Sequence, residues 1–306
     1  MRTPGVGYVV ALLASTFLMG SSFVAGKILL QSGFAPFPLL GWRFLLAAAS
    51  TLPLLVTENR RPVATLLPRE LTIRQWMTVI LIGLLQTAAV MSLAFLAMRT
   101  IPASTTAILL FSNPILVALL GRLFLGEPLS SLRALGLLSG FSGVALAIGM
   151  SGLGVQSAAM LVGELTALAS ALCWATATIV NKRAELPMNP WALSFWQMLI
   201  GGLALLGCAY VEGESWPADL KLAGWGWFLW LAIPASTGSF GLWFVALRAG
   251  GATRTSGYLF LTPLFTVLLS ALILGSSLSG WQAIGGALIG AGLWLVNREP
   301  SPVSNQ

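Results

Sequence analysis

The chain has 306 residues, of which 57% are hydrophobic and only 8% charged, and its formal net charge is +7. A soluble globular domain carries about 25% charged residues, so the composition excludes that class. No basic run with interleaved polar residues accompanies the positive charge, which sets nucleic acid aside in favour of basic loops beside a lipid bilayer.

A membrane-crossing helix needs about 20 mostly apolar residues. Ten stretches satisfy this: 6–30, 37–56, 74–97, 103–123 and 133–150, then 159–180, 190–211, 223–247, 252–273 and 279–297. Arg2 and the run from Val6 to Met19 have the order of a signal peptide, but apolar and small polar residues continue to Leu30. The stretch therefore reads as a retained first span. Connections are short, so neighbouring helices pack as hairpins. The exception is Thr57 to Arg74, a polar stretch with an interfacial segment around Pro68 and Leu71. Cys173 and Cys208 lie inside apolar runs and read as small core residues. With no histidine, a histidine-based relay, triad or metal cage is excluded, and neither a metal nor another cofactor is expected.

The residues from Ala97 to Ile148 recur, 149 positions later, as Ala246 to Asn297 without a gap, with 18 of 52 positions identical. Arg99 meets Arg248, Thr106 meets Thr255, Phe111 meets Phe260, Pro114 meets Pro263, Gly126 meets Gly275 and Gly143 meets Gly292. Such a repeat predicts two copies of one five-helix unit, 1–150 and 151–306. Five is odd, so the second copy enters the membrane from the opposite side. The expected fold is an all-α integral membrane protein of ten transmembrane helices in two inverted repeats. Inverted repeats are a hallmark of secondary transporters, whose substrate site lies near the midplane. With the N-terminus inside, Arg2, Arg60, Arg61, Arg69, Arg74, Arg122, Arg133, Lys182, Arg183, Arg248, Arg254 and Arg298 fall on the cytoplasmic side, against Arg99 and Lys221 outside. That bias predicts a multi-pass inner-membrane protein with both termini cytoplasmic.

Certain motifs have family counterparts. The first span reads Phe17-Leu-Met-Gly-Ser-Ser-Phe-Val-Ala-Gly-Lys27, and the sixth reads Cys173-Trp-Ala-Thr-Ala-Thr-Ile-Val-Asn-Lys182, so Met19 stands where Trp174 does and Lys27 where Lys182 does. The second span carries Gly41-Trp-Arg-Phe44, and Pro114 and Pro263 precede Leu-Gly pairs at 125–126 and 274–275. Together these resemble the EamA exporters of the drug/metabolite transporter superfamily over residues 6 to 297. The resemblance implies export of small metabolites, commonly amino acids or related compounds, with the YddG-type amino-acid exporters the nearest kind.

Polar groups at membrane depth are costly unless paired or wet, so each is a candidate for the substrate site. Ser15, Met19 and Ser22 share one face of the first span; a helix–helix contact is the alternative. Arg43 lies about one and a half turns into the second span and could hold a substrate carboxylate or cap an internal network, with Gln197 at the corresponding place in the second half. Gln86 and Thr87 sit within the third span, Ser112 and Asn113 within the fourth, and Thr262 in the ninth. Pro114 and Pro263 free carbonyls one turn back, and Pro234, followed by Ala-Ser236-Thr-Gly-Ser, interrupts the eighth. These three prolines are hinge or kink candidates. Trp174, Trp196, Trp243 and Tyr258 fall within spans, where they could line a cavity or pack the core. Glu164 is the carboxylate inside a predicted span and the proton-coupling candidate, with a salt bridge or a plain position at the outer interface as the alternatives. Lys27 and Lys182 lie near span ends and can snorkel.

The reading is a transporter of small, amphipathic solutes working by alternating access, with amino acids, aromatic and other neutral ones, as substrates. Other metabolites such as nucleobases are the alternative within that class. A lipid-modifying membrane enzyme is the alternative outside it, and the chain offers poor catalytic materials for one. The Gly-rich faces of the fifth and tenth spans (Gly136, Gly140, Gly143; Gly285, Gly286, Gly290) support close helix contact within or between chains, so monomer and homodimer both stay open.

Overall fold

The computed structural model describes residues 5–58, 65–68, 71–101, 106, 109–148, 157–217, 220–275 and 280–298. They form ten helices: α1 (Val6–Gln31), α2 (Pro36–Glu58), α3 (Ile73–Gly83, a π segment Leu84–Ala89, then Val90–Ala97), α4 (Asn113–Phe124), α5 (Ser131–Ile148), α6 (Ala158–Ala184), α7 (Pro190–Glu212), α8 (Leu222–Ala232, a π segment Ile233–Gly238, then Ser239–Ala249), α9 (Ala252–Gly257, a 3₁₀ turn Tyr258–Phe260, then Leu261–Leu274) and α10 (Gly280–Arg298). Seven are long and apolar enough to cross a membrane: α1, α2, α3, α6, α7, α8 and α9. Within the described residues α4, α5 and α10 are shorter apolar helices. Part of the predicted fourth span, 102–105 and 107–108, lies outside those residues, as do 59–64 and 69–70 of the predicted interfacial stretch.

Local chemistry sets the helix ends. Thr72 and Gln75 form a capping box that starts α3. Ser157 and Asn189 accept backbone N–H bonds at the starts of α6 and α7. Gly213 closes α7 and Gly275 closes α9, both in the left-handed conformation that favours glycine. Gly126, at φ +66°, holds the same conformation after α4, 149 residues before Gly275.

The packing unites the two halves. α5 lies against α10, α2 against α7, α1 against α9 and α8, and α6 against α4 and α3. The α5–α10 crossing is built on glycine. A Cβ on Gly136 would come within 2.7 Å of the Gly292 carbonyl, and one on Gly143 within 2.6 Å of the Gly285 carbonyl. Ser139 adds a 3.0 Å hydrogen bond to the Leu288 carbonyl. The Gly-rich faces of the fifth and tenth spans thus meet inside one chain. Gly290, another of the predicted contact residues, has open space where a Cβ would be.

Both π segments break the helical period at matching places. Each residue from Leu84 to Ala89, advanced by 149, is a residue from Ile233 to Gly238. A π segment inserts one residue and leaves a carbonyl to find a non-helical partner. In α8 that partner is the Ser236 hydroxyl, which donates to Leu231 O at 2.8 Å.

The helices have two ends. At the end that holds α1's first turn, Tyr8 bonds Thr255 at the start of α9 (2.9 Å) and Arg254 bonds Asn297 at the end of α10 (2.7 Å). At the other end, Arg99 after α3 pairs with Glu212 of α7 (3.1 Å), and the Phe37 N–H of α2 donates to Glu214 (2.9 Å).

Candidate functional site

Four hydrogen bonds organise the middle of the molecule, and they form two matched pairs. The Ser15 hydroxyl of α1 donates to Ser239 O, the first residue after the α8 π segment, at 2.8 Å. The Ser170 hydroxyl of α6 donates to Val90 O, the first residue after the α3 π segment, also at 2.8 Å. In the alignment that places Met19 on Trp174, Ser15 falls on Ser170, and Val90 lies 149 residues before Ser239. The second pair links the π segments to α2 and α7. Arg43 Nε donates to Ser236 Oγ at 2.7 Å, and the Thr87 hydroxyl donates to Gln197 Oε1. Thr87 and Ser236 are 149 residues apart, and Arg43 and Gln197 occupy corresponding places on α2 and α7.

The two halves differ in charge at this matched position. Arg43 is 6% exposed, stacks on the Phe44 ring at 4.8 Å and has no carboxylate partner among the described residues. Gln197 is neutral, and its Nε2 has no hydrogen-bond partner among those residues. A buried guanidinium at membrane depth calls for an anion or ordered polar groups.

Further polar atoms are buried without a described partner. Both side-chain atoms of Gln86 are in this state, as are Asn113 Oδ1, Trp174 Nε1, Trp243 Nε1 and Thr262 Oγ1. Asn113 is held by its other amide atom, Nδ2 to Ala171 O at 3.3 Å, one turn from Trp174 on α6. Met19, at the position of Trp174, is buried on α1. Met19, Trp174 and Trp243 belong to one buried apolar cluster, and Gln86, Asn113 and Thr262 are buried on α3, α4 and α9.

Other predicted positions lie elsewhere. Ser22 and Ser112 bond locally, to Met19 O (2.7 Å) and Leu109 O (2.6 Å). Trp196 packs edge-on against Trp76 and donates to Leu66 O at 2.9 Å, next to the connection before α3. Tyr258 sits at the start of α9, edge-on to Tyr8, with its hydroxyl 3.5 Å from Asn297. Glu164 is half-buried in α6's second turn. Of the three prolines, Pro234 lies inside the α8 π segment, Pro263 is in the first turn of the α-helical part Leu261–Leu274 of α9, and Pro114 is in the first turn of the described part of α4.

Two features escape a reading of the sequence. Glu127 accepts from the Ala252 and Thr253 N–H groups at 2.7 and 3.0 Å and so caps α9 from the α4–α5 connection. Its place directly after the Leu125-Gly126 pair is the available signal. A cleft of about 290 Å³ lies at the same end, lined by Lys182, Glu185, Met188, Leu193, Phe244 and Arg248.

The family model described as "EamA-like transporter family" matches residues 6–149 and again 161–298. The chain belongs to the EamA-like transporter family. Its relatives include an uncharacterised transporter of Synechocystis sp., 29% identical over 94% of this chain and 88% of that one. Another, from Archaeoglobus fulgidus, is 28% identical over 93% and 95%. Protein PecM of Dickeya dadantii is 26% identical over 83% and 85%. A solved crystal structure, 20% identical, shares the fold with a TM-score of 0.80, covering 94% of this chain and 95% of that one. This EamA chain is accordingly a multi-pass membrane protein of a transporter family, and each of the four hydrogen bonds at its π segments joins one matched part to the other.

Proposed function

We propose that this EamA protein is a secondary transporter that exports small metabolites, foremost neutral and aromatic amino acids, by alternating access. Its halves, 1–150 and 151–306, act as inverted five-helix repeats in the inner membrane, with both termini cytoplasmic. The matched π segments and the exchange symmetry of the helix packing support the repeat reading. The amino-acid reading places the protein with YddG-type exporters and rests on Arg43. A buried guanidinium with no described carboxylate partner suits the carboxylate of an entering amino acid. Gln86, Asn113, Trp174 and Gln197 supply neutral polar atoms for the remainder of the substrate, and the Trp174 and Trp243 rings suit an apolar side chain. Pro114, Pro234 and Pro263 permit the helices to bend as the site changes sides, and Glu164 is the group for proton coupling.

Counterflow in proteoliposomes tests this reading. Vesicles loaded with single unlabelled amino acids should accumulate the labelled compound saturably for some and not for others. Glu164→Gln should abolish any effect of an imposed pH gradient. Exchange of nucleobases but of no amino acid would overturn the substrate class, and no exchange of any solute would overturn the carrier.

A further inference from the structure

The two ends of the molecule contain the same residues in different arrangements. The repeat pairs Lys27 of α1 with Lys182 of α6, and Met98-Arg99 after α3 with Leu247-Arg248 of α8. At the end holding α1's first turn, the set is assembled. Lys182 Nζ donates to Leu247 O at 3.1 Å and to Arg248 O at 3.4 Å, which ties the last turn of α6 to the last turn of α8. Arg248 Nη1 reaches across to Met188 O in the α6–α7 connection at 3.3 Å. At the opposite end the set is apart. Lys27 is exposed and makes no hydrogen bond or ion pair among the described residues. Arg99 turns instead to Glu212 on α7, in a pair whose side chains are 53% and 42% exposed.

The chemistry explains what holds the assembled end. The last carbonyls of a helix lack intrahelical partners and carry the negative end of its dipole, so a lysine from a neighbouring helix stabilises them. A long, flexible ammonium can leave for water at little cost. An exposed ion pair such as Arg99–Glu212 is worth little and exchanges readily.

We propose that Lys27 and Lys182 are reciprocal latches of the transport cycle. In the arrangement described here Lys182 holds the last turns of α6 and α8 together beside the cleft, and Lys27 is released. In the opposite state Lys27 caps the Met98 and Arg99 carbonyls, Arg99 leaves Glu212, and Lys182 releases α8. The proposal rests on the alternating-access reading and names the side chains that distinguish its two end states.

Spin-label distances in proteoliposomes test it, in a background with Cys173 and Cys208 replaced by alanine. One label pair, Arg183→Cys with Ala249→Cys, reports the Lys182 end; another, Leu30→Cys with Leu96→Cys, reports the Lys27 end. Without further substitution, the Lys182 end should favour its short distance and the Lys27 end its long one. Lys182→Met should shift both population ratios by about tenfold toward the opposite state, the effect expected of one charge-assisted hydrogen bond. Lys27→Met should shift them the other way, and Lys182→Arg, which keeps a donor, should leave them near the starting values. Two distances at each end, with ratios untouched by either methionine substitution, would overturn the latch and leave the carrier standing. One unchanging distance at each end, with every solute tested, would overturn alternating access itself. A Lys182→Met protein too unstable to reconstitute would leave Lys27→Met to decide, with an unshifted ratio rejecting the latch.

Discussion

At the scale of single residues, Arg43 carries the proposed substrate site. Its Nε donates to Ser236, and the proposal assigns its two terminal nitrogens to the substrate carboxylate. Arg43→Gln should therefore raise KM for a carboxylate-bearing substrate by roughly tenfold to a hundredfold, the loss of a charge-assisted hydrogen bond. Arg43→Lys should fall between, because lysine keeps the charge and loses the planar fork. Uptake measured over a concentration series checks both. Gln197→Ala, at the matching place, should leave that KM closer to wild type, since the site it removes is neutral. Glu127 belongs to stability instead. Glu127→Ala removes the cap from two N–H groups of α9 and should cost about 1 kcal/mol or somewhat more. A lowered thermal midpoint with transport retained at moderate temperature is the expected result.

At the scale of elements, the π segments and the glycine crossing make different demands. Deleting Ala89 from α3, or Gly238 from α8, removes the inserted residue and restores an ordinary helical period. The chain should still insert and fold, yet Thr87 or Ser236 would no longer reach α7 or α2, so transport should fall at unchanged abundance. The crossing of α5 and α10 has no such slack. Gly136→Leu puts a side chain where a Cβ alone would lie 2.7 Å from a carbonyl, and overpacking of this kind costs roughly 1–3 kcal/mol. Thermal unfolding should show that loss, while Gly290→Ala, which faces open space, should change little. The elements differ in how far sequence reveals them. Proline, glycine and arginine landmarks made the second part of each repeat visible at one constant offset. The π segments were hidden, because one extra residue inside an apolar run alters no composition and shifts the pattern by only 100°. Gln86 and Thr87 stand out as polar, and Pro234 as an interruption, but neither announces a widened turn.

At the scale of the whole molecule, the centre and the ends carry different information. The polar candidates drawn together at the centre (Arg43, Gln86, Asn113, Trp174, Gln197, Ser236) were legible because a polar atom in an apolar span is conspicuous. Trp196 and Tyr258 are equally conspicuous but lie toward the helix ends, with partners (Leu66 and Trp76; Tyr8 and Asn297) far away in the chain, which no periodicity reveals. Glu127 was invisible as a cap for the same reason: its partners are 125 and 126 residues away in the chain.

The glycine crossing has one more consequence. Gly136 corresponds to Gly285, and Gly143 to Gly292, yet each glycine of α5 touches the counterpart of the other. This is the rule of an isologous interface, in which two copies of one surface meet about a two-fold axis. A contact of that kind needs no covalent bond between its partners. Residues 1–150 and 151–306, expressed as separate polypeptides in one cell, should find each other and recover a measurable part of the transport of the intact chain. Such a result would show that the packed faces alone, without the chain between them, bring the two parts into register.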